Sequence, residues 1–323
     1  MIRPRPAIAF LVLCALLGAG SADAQQPKTK AQTKAAERTE PEADLAYGAF
    51  QKGLYLKALE EATRRAEEAK DPKAMTLLGE LYAGGLGVKR DEKRAAQWYS
   101  LAVAHGDRAA AFALAMLHQE GRGVAKDRDE AARLFRVAAE RGHAFAAYNL
   151  ALLYLEGQVI ARDVAAAARW FRVAAEQDIP EAQHALALLF KDGDGIKADP
   201  AEALRWLERA AGLGHGMAMA EFAIALFNGN GIAQDEARAT RLFREGSLRG
   251  NAVAQNRYAR LLSAGGGVKA NPVEACAWHL LARAQGLSDP FLDRICNGLP
   301  EDERKAADAL LHKWRVDMVE ARP

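Results

Sequence analysis

Residues 72–107 read PKAMTLLGELYAGGLGVKRDEKRAAQWYSLAVAHGD, and residues 108–143 read RAAAFALAMLHQEGRGVAKDRDEAARLFRVAAERGH. Laid one over the other, they agree in step: Ala74 with Ala110, Gly85 with Gly121, Asp91 with Asp127, Ala95 with Ala131 and Gly106 with Gly142. The 36-residue step continues to residue 287 without an insertion. It gives six units: 72–107, 108–143, 144–179, 180–215, 216–251 and 252–287. A period of this size, held in several columns at once, belongs to a repeat architecture and decides the fold before any other feature.

Each unit reads as helix, glycine loop, helix. In the third, Leu150, Leu153 and Tyr154 lie at helical spacing, as do Ala167, Trp170, Phe171 and Ala174 after the loop. The column Asp91, Asp127, Asp163, Asp199, Asp235, Asn271 precedes the second helices. These residue types accept hydrogen bonds from the free N–H groups of a first helical turn. Glu130, Glu202 and Glu274 follow three residues later, close to a capping box. Gly85 and its equivalents should end the first helices in a left-handed residue, and Gly106 and its equivalents the second. In unit three Val159 replaces a loop glycine and Asp178 a terminal one, so a locally different loop is expected there. The repeated alanines let helices cross closely, and Trp98, Trp170, Trp206 and Trp278 should fill the space between helix pairs. No unit can bury its apolar face alone, so the units must stack into an all-α solenoid.

The flanks differ from the repeats. Arg3 and Arg5 precede an apolar run, Ala7–Ala19, and Ala22 and Ala24 stand where a signal peptidase reads small residues. Residues 1–24 are therefore expected to be a cleaved signal peptide, and 25–41, polar throughout, a disordered linker. The apolar run is shorter than the ~20 residues of a spanning helix, so no stable membrane insertion is expected after cleavage. Residues 42–71 read as a capping helical hairpin, and 288–323 as a C-terminal helical cap.

The units resemble the Sel1-like repeat family, relatives of the tetratricopeptide repeats. In the first unit the match rests on Leu78, Gly79, Tyr82, Gly85, Gly87, Val88, Asp91, Ala95, Trp98, Tyr99, Ala102 and Gly106. The resemblance implies a right-handed superhelix whose concave face, lined by first helices, takes a partner. It also implies adaptor roles in signalling and envelope processes, with the exported exopolysaccharide regulators of alphaproteobacteria as functional cousins. The cysteine-rich Helicobacter members, with a disulfide in every unit, are a poor match, because this chain lacks those cysteines.

Composition excludes some function classes. Net charge is +2, with 44 basic and 42 acidic residues and no block of one sign, which argues against a nucleic-acid surface. Metal-protease, serine-hydrolase and redox dithiol motifs are absent, and the glycine run Gly193–Lys197 recurs as a turn rather than forming a phosphate loop. The aspartate column lies one repeat apart, on the order of 10 Å, too far to share a metal ion. No cofactor, metal or catalytic residue is expected.

One column stands apart. Glu80, Met116, Leu152, Leu188, Ile224 and Arg260 occupy one place on successive first helices, apolar inside and charged at both ends. Deeper core packing of the middle units is one account of it; an apolar strip along the concave groove is the other. Beside it lie Tyr148, Asn149, His184, Glu221, Asn256 and Arg257, the expected partner-binding positions. The expected function is a periplasmic or secreted scaffold that binds a protein or peptide, such as a sensor kinase or envelope protein, and regulates envelope signalling or exopolysaccharide. The alternatives are an envelope enzyme or a glycan-binding protein acting on peptidoglycan or a β-lactam. A glycan site would need groove aromatics, for which Phe112, Tyr148 and Phe227 are the candidates. Finally, Cys276 and Cys296 lie ten residues either side of Gly286. If that glycine turns an antiparallel pair, the two can meet as a disulfide in an oxidising compartment; two separate buried thiols are the alternative.

Overall fold

The computed structural model describes residues 44–320. The expected leader (1–24) and linker (25–41) lie outside them. Among the described residues there are helices and loops but no strand. A hairpin of α1 (Leu45–Gln51) and α2 (Tyr55–Glu68) comes first. Six pairs follow. The first helices are α3 (Pro72–Gly84), α5 (Arg108–Glu120), α7 (Ala144–Glu156), α9 (Pro180–Asp192), α11 (Gly216–Asn228) and α13 (Ala252–Ala264). The second helices are α4 (Glu92–Ala104), α6 (Arg128–Glu140), α8 (Val164–Ala175), α10 (Pro200–Gly212), α12 (Glu236–Leu248) and α14 (Pro272–Ala284). The chain then runs through α15 (Pro290–Gly298) and α16 (Glu301–Glu320).

Every second helix begins one residue after its Asp or Asn, whose side chain accepts from the backbone N–H three residues on, as Asp127 does from Glu130 at 2.9 Å. The capping box is not closed, however. The cap's own N–H donates instead to the first helix of its unit, Asp127 to His118 O at 2.9 Å and Asp199 to Phe190 O at 2.9 Å. That bond recurs in all six units and ties the two helices of each pair. The glutamates turn elsewhere: Glu130 pairs with Arg133, while Glu202 and Glu274 accept from the indoles of Trp206 and Trp278.

Packing follows the alanines. Ala74, Ala110, Ala146, Ala182, Ala218 and Ala254 are all buried, as are Ala95, Ala131, Ala167, Ala203, Ala239 and Ala275. The tryptophan column fills space only in part: Trp206 and Trp278 are buried, but Trp98 and Trp170 are half-exposed. The next column, Tyr99, Phe135, Phe171, Leu207, Phe243, His279, is buried throughout, and in unit one its ring lies against Gly79 of the first helix. A Cβ on Gly79 would fall 2.3 Å from the Tyr99 ring. Unit joins are equally close: a Cβ on Gly123 would lie 2.2 Å from the carbonyl oxygen of Glu92 in the preceding unit.

Unit three departs where the sequence does. Val159 does not take the left-handed backbone of the glycines it replaces, whereas Asp178 does, at φ 59°. Asp is one of the few side chains that tolerate this region.

Neighbouring first helices touch directly at α3–α5 and α11–α13, and His184 on α9 reaches Glu221 on α11. No two successive second helices of the repeats approach as closely as α3–α5 or α11–α13. The first helices therefore line the inner side of the stack. At the C-terminal end, α14 packs against α15 and α16, and the Trp278 and Trp314 rings stack at 4.1 Å.

Candidate functional site

The inner surface is built from one stripe per first helix. Residues at spacing i, i+4, i+7 and i+11 share a face of a helix. The third place in each stripe is the column from Glu80 to Arg260. Met116, Leu188 and Ile224 are partly exposed there, and Leu152 is buried at 8% exposure. At the first place in the stripe, Met217 and Val253 are 53% and 40% exposed. Apolar side chains that the chain's own packing leaves open thus recur in units two, four, five and six, with Leu152 closing the row in unit three.

The ends of the column are engaged differently. Arg260 donates to Asp289 through Nε at 2.6 Å and through a terminal nitrogen at 2.9 Å. Asn256, itself buried, donates to the same carboxylate at 2.9 Å. Burial works to raise the Asp289 pKa, but the bonds from Arg260 and Asn256 carry it down to about 2. These two positions hold the C-terminal cap. At the other end, burial and then the charge of Asp107 push Glu80 up to about 7.

His184 and Glu221 come together across the α9–α11 join. His184 Nε2 lies 3.0 Å from Glu221 Oε1, and Lys191 Nζ lies 3.5 Å from the other oxygen. Facing a carboxylate, that ring nitrogen carries its hydrogen. The His184 bond, with Lys191 helping, holds Glu221 below the ordinary carboxylate range. Arg257 stands exposed one unit on. Tyr148 and Asn149 sit together on α7, but their polar groups are less open. Tyr148 is half-buried, 5.7 Å between ring centres from Phe171, and Asn149 donates to the Phe145 carbonyl at 2.7 Å. Of the groove aromatics, Phe112 stacks on His143 at 4.5 Å, which covers one of its faces.

A second set of caps was not legible as such from the sequence. His143 and His215 begin α7 and α11, and each Nδ1 accepts from the backbone N–H three residues on, at 3.2 Å. Asp107 and Asn251 accept in the same way through a side-chain oxygen, Asp71 accepts from the N–H two residues on, and Ile179 cannot cap. The signal was available: these five polar residues share one column. Burial, then the Arg108 charge, lowers His143 to about 4. Burial, then His184, lowers His215 to about 4.

The cysteines lie where α14 meets α15. Their Cα atoms are 5.2 Å apart and the sulfurs are bonded in the structure. Among the described residues no group of three or more His, Cys, Asp or Glu is placed to hold a metal ion. Nor is any described helix long and apolar enough to cross a membrane.

Comparison with known proteins agrees with this architecture. The Sel1 repeat model matches residues 72–107, 108–143, 144–179, 180–215, 217–251 and 252–287. No curated protein matches. Among solved structures, a Sel1 repeat protein from Oxalobacter formigenes is 29% identical, with a TM-score of 0.66 over 74% of this chain and 98% of its own. A protective antigen of uropathogenic Escherichia coli strains, with the same repeat fold, is 23% identical, with a TM-score of 0.55 over 83% of this chain and 68% of its own. Six consecutive units, each closed by the same cap-to-helix bond and each matched by the family model, place the chain in the Sel1 repeat family.

Proposed function

We propose that the protein is a non-catalytic scaffold that holds a protein or peptide partner against the inner stripes of its first helices. The observation that carries this reading is the open apolar row. Met116, Leu188, Ile224, Met217 and Val253 lie on the same side of units two, four, five and six, on rigid helices, with polar groups such as Glu221 and Arg257 among them. Contiguous exposed apolar surface rimmed by polar residues is the physical signature of a docking face. Buried anchors give such a face its affinity, and the polar positions give it selectivity.

The site is proposed to comprise Met116, Leu152, Leu188 and Ile224 with Tyr148, Asn149, His184, Glu221, Asn256 and Arg257. Asn256 acts indirectly, through the cap residue Asp289. A periplasmic or secreted setting, and a role in envelope signalling, are part of the same proposal. The apolar run Ala7–Ala19 and the Cys276–Cys296 pair support export, since such bridges persist outside the reducing cytosol. The test is charge reversal of Glu221 and Arg257 together. Recovery of the partner cross-linked in the native envelope should be lost while circular dichroism is unchanged. Undiminished recovery moves the site off this face.

A further inference from the structure

The inner stripes of the middle units carry an asymmetry of charge that the chain as a whole lacks, while Lys73, Arg257 and Arg260 stand in the stripes of the two end units. In units two to five, the sixteen stripe positions hold five carboxylates, Glu120, Glu156, Glu181, Asp192 and Glu221, and no lysine or arginine. Three of the five have partners from outside the stripe. Arg122 pairs with Glu120, Arg128 with Glu156, and Lys191 with Glu221. Glu181 and Asp192 are exposed and make no ion pair among the described residues. Glu120, Glu156 and Asp192 occupy one row, the last turn of successive first helices, so the acidic edge runs parallel to the apolar row.

The step of the apolar row also constrains what lies along it. Packed helices stand about 8–10 Å apart. A helix laid across the units advances ~10.5 Å in seven residues, and so presents an equivalent side chain to each unit. An extended strand covers that distance in about three residues, and its faces alternate, so successive units would meet opposite sides. A polyproline helix also repeats near that step, but the grooves that hold it are lined by aromatic rings. The row Met116, Leu152, Leu188, Ile224 has none. Ala113 and Ala185, partly exposed, leave room between the larger residues for inserted side chains.

We propose that the inner face takes an amphipathic helix with an apolar heptad stripe flanked on one side by lysine or arginine. The inference rests on the inner-face reading above and names the chemistry of its partner. Apolar anchors supply the burial, and the basic flank meets the acidic edge.

The test uses the full chain and two synthetic helical peptides of about 22 residues. Both carry leucine at heptad positions a and d; one has lysine along a single flank, and its twin has glutamate there. Binding is read by fluorescence anisotropy at low and high salt. The lysine peptide should bind at least tenfold more tightly at low salt, and the gap should close as salt screens the charges. Two variants, each checked for helicity, separate the possibilities. Ala185→Trp, which fills the row, should weaken the lysine peptide at least tenfold. Glu181→Lys with Asp192→Lys should reverse the preference between the peptides. Equal binding of the twins, or preference for the glutamate peptide, overturns the charge inference, and the inner-face reading survives if Ala185→Trp still blocks. Binding that Ala185→Trp leaves untouched overturns both. Failure of both peptides to bind overturns the inference alone, because the inner face is tested independently by cross-linking to the native partner.

Discussion

At the scale of single residues, the glycines and caps carry most of the specificity. Gly123 needs its lack of a side chain twice, for a φ of +68° and for the Glu92 carbonyl 2.2 Å from where a Cβ would sit. Gly106 needs it once, for its φ of +91°, with nothing within 4 Å of the added atom. Gly106→Ala should therefore cost about 1–2 kcal/mol, the left-handed penalty alone. Gly123→Ala should cost clearly more, because the join between units must move. Urea denaturation of the two variants checks this, and equal losses would remove the close approach from the account.

The histidine caps make a second prediction at this scale. His143 and His215 have folded pKa values near 4, below the ordinary value of 6.5. Between those values the unfolded chain binds protons that the folded chain refuses. Their contribution is thus complete above about pH 6.5 and is lost as pH falls towards 4. Glu80 has the opposite sign: its raised folded value stabilises the fold at low pH, and that is lost as pH rises from 4.5 to about 7. The histidine share is therefore read as a difference. His143→Asn with His215→Asn keeps an acceptor at each cap, as Asn251 does, and should flatten the loss of stability between pH 6.5 and 4 relative to wild type. An unchanged slope would mean the caps do not titrate as described. These residues were legible in the sequence only as a shared column. Histidine seldom caps helices, and its role appears only once α7 and α11 are seen to start beside it.

At the scale of elements, the period alone located the helices, because an uninterrupted 36-residue step and a cap at the start of each second helix leave little freedom. Which aromatic column would be deepest was less legible. The tryptophans stand out by size, yet the residue after each of them is the buried one, against Gly79 in unit one. A one-residue rotation of a helix, about 100°, separates the two columns, and only packing sets it. Phe171→Ala should then cost about 3–5 kcal/mol, and Trp170→Ala, half-exposed, distinctly less. Asp127→Ala should cost nearer ~1 kcal/mol. If Asp127→Ala is the worst of the three in chemical denaturation, capping rather than packing dominates these units. The Cys276–Cys296 link belongs to this scale too. It closes a loop 20 residues apart and fastens α15 to α14, worth on the order of 3 kcal/mol in the chain-entropy model. Mass spectrometry of protein from the native cell, alkylated without reductant, should find neither cysteine modified, and two alkylated cysteines would retire the bridge.

At the scale of the whole molecule, the repeats form a curved stack whose inner side is apolar in the middle and acidic along one edge. A stack of this kind needs a cap at each end, since a terminal unit has a neighbour on one side only. Here Asp289, gripped by Arg260 and Asn256, and the stacked Trp278 and Trp314 close the C-terminal end. The sequence marked Arg260 and Asn256 as groove positions by their column. Their engagement with the cap could not be read there, because it depends on a loop that follows the last repeat and obeys no period. Met116, Leu188 and Ile224 were legible as one column with Leu152, but that they stay partly exposed while Leu152 is buried is set by packing and could not be read from the column.

The central claim is that this inner side, rather than the outer ring of second helices, meets the partner. A photoreactive benzoyl-phenylalanine placed singly at Ala185 on α9, or at exposed Arg205 on α10, tests it in the native cell. The account predicts a discrete partner adduct from position 185 and none from position 205. Adducts from 205 with none from 185 would contradict it.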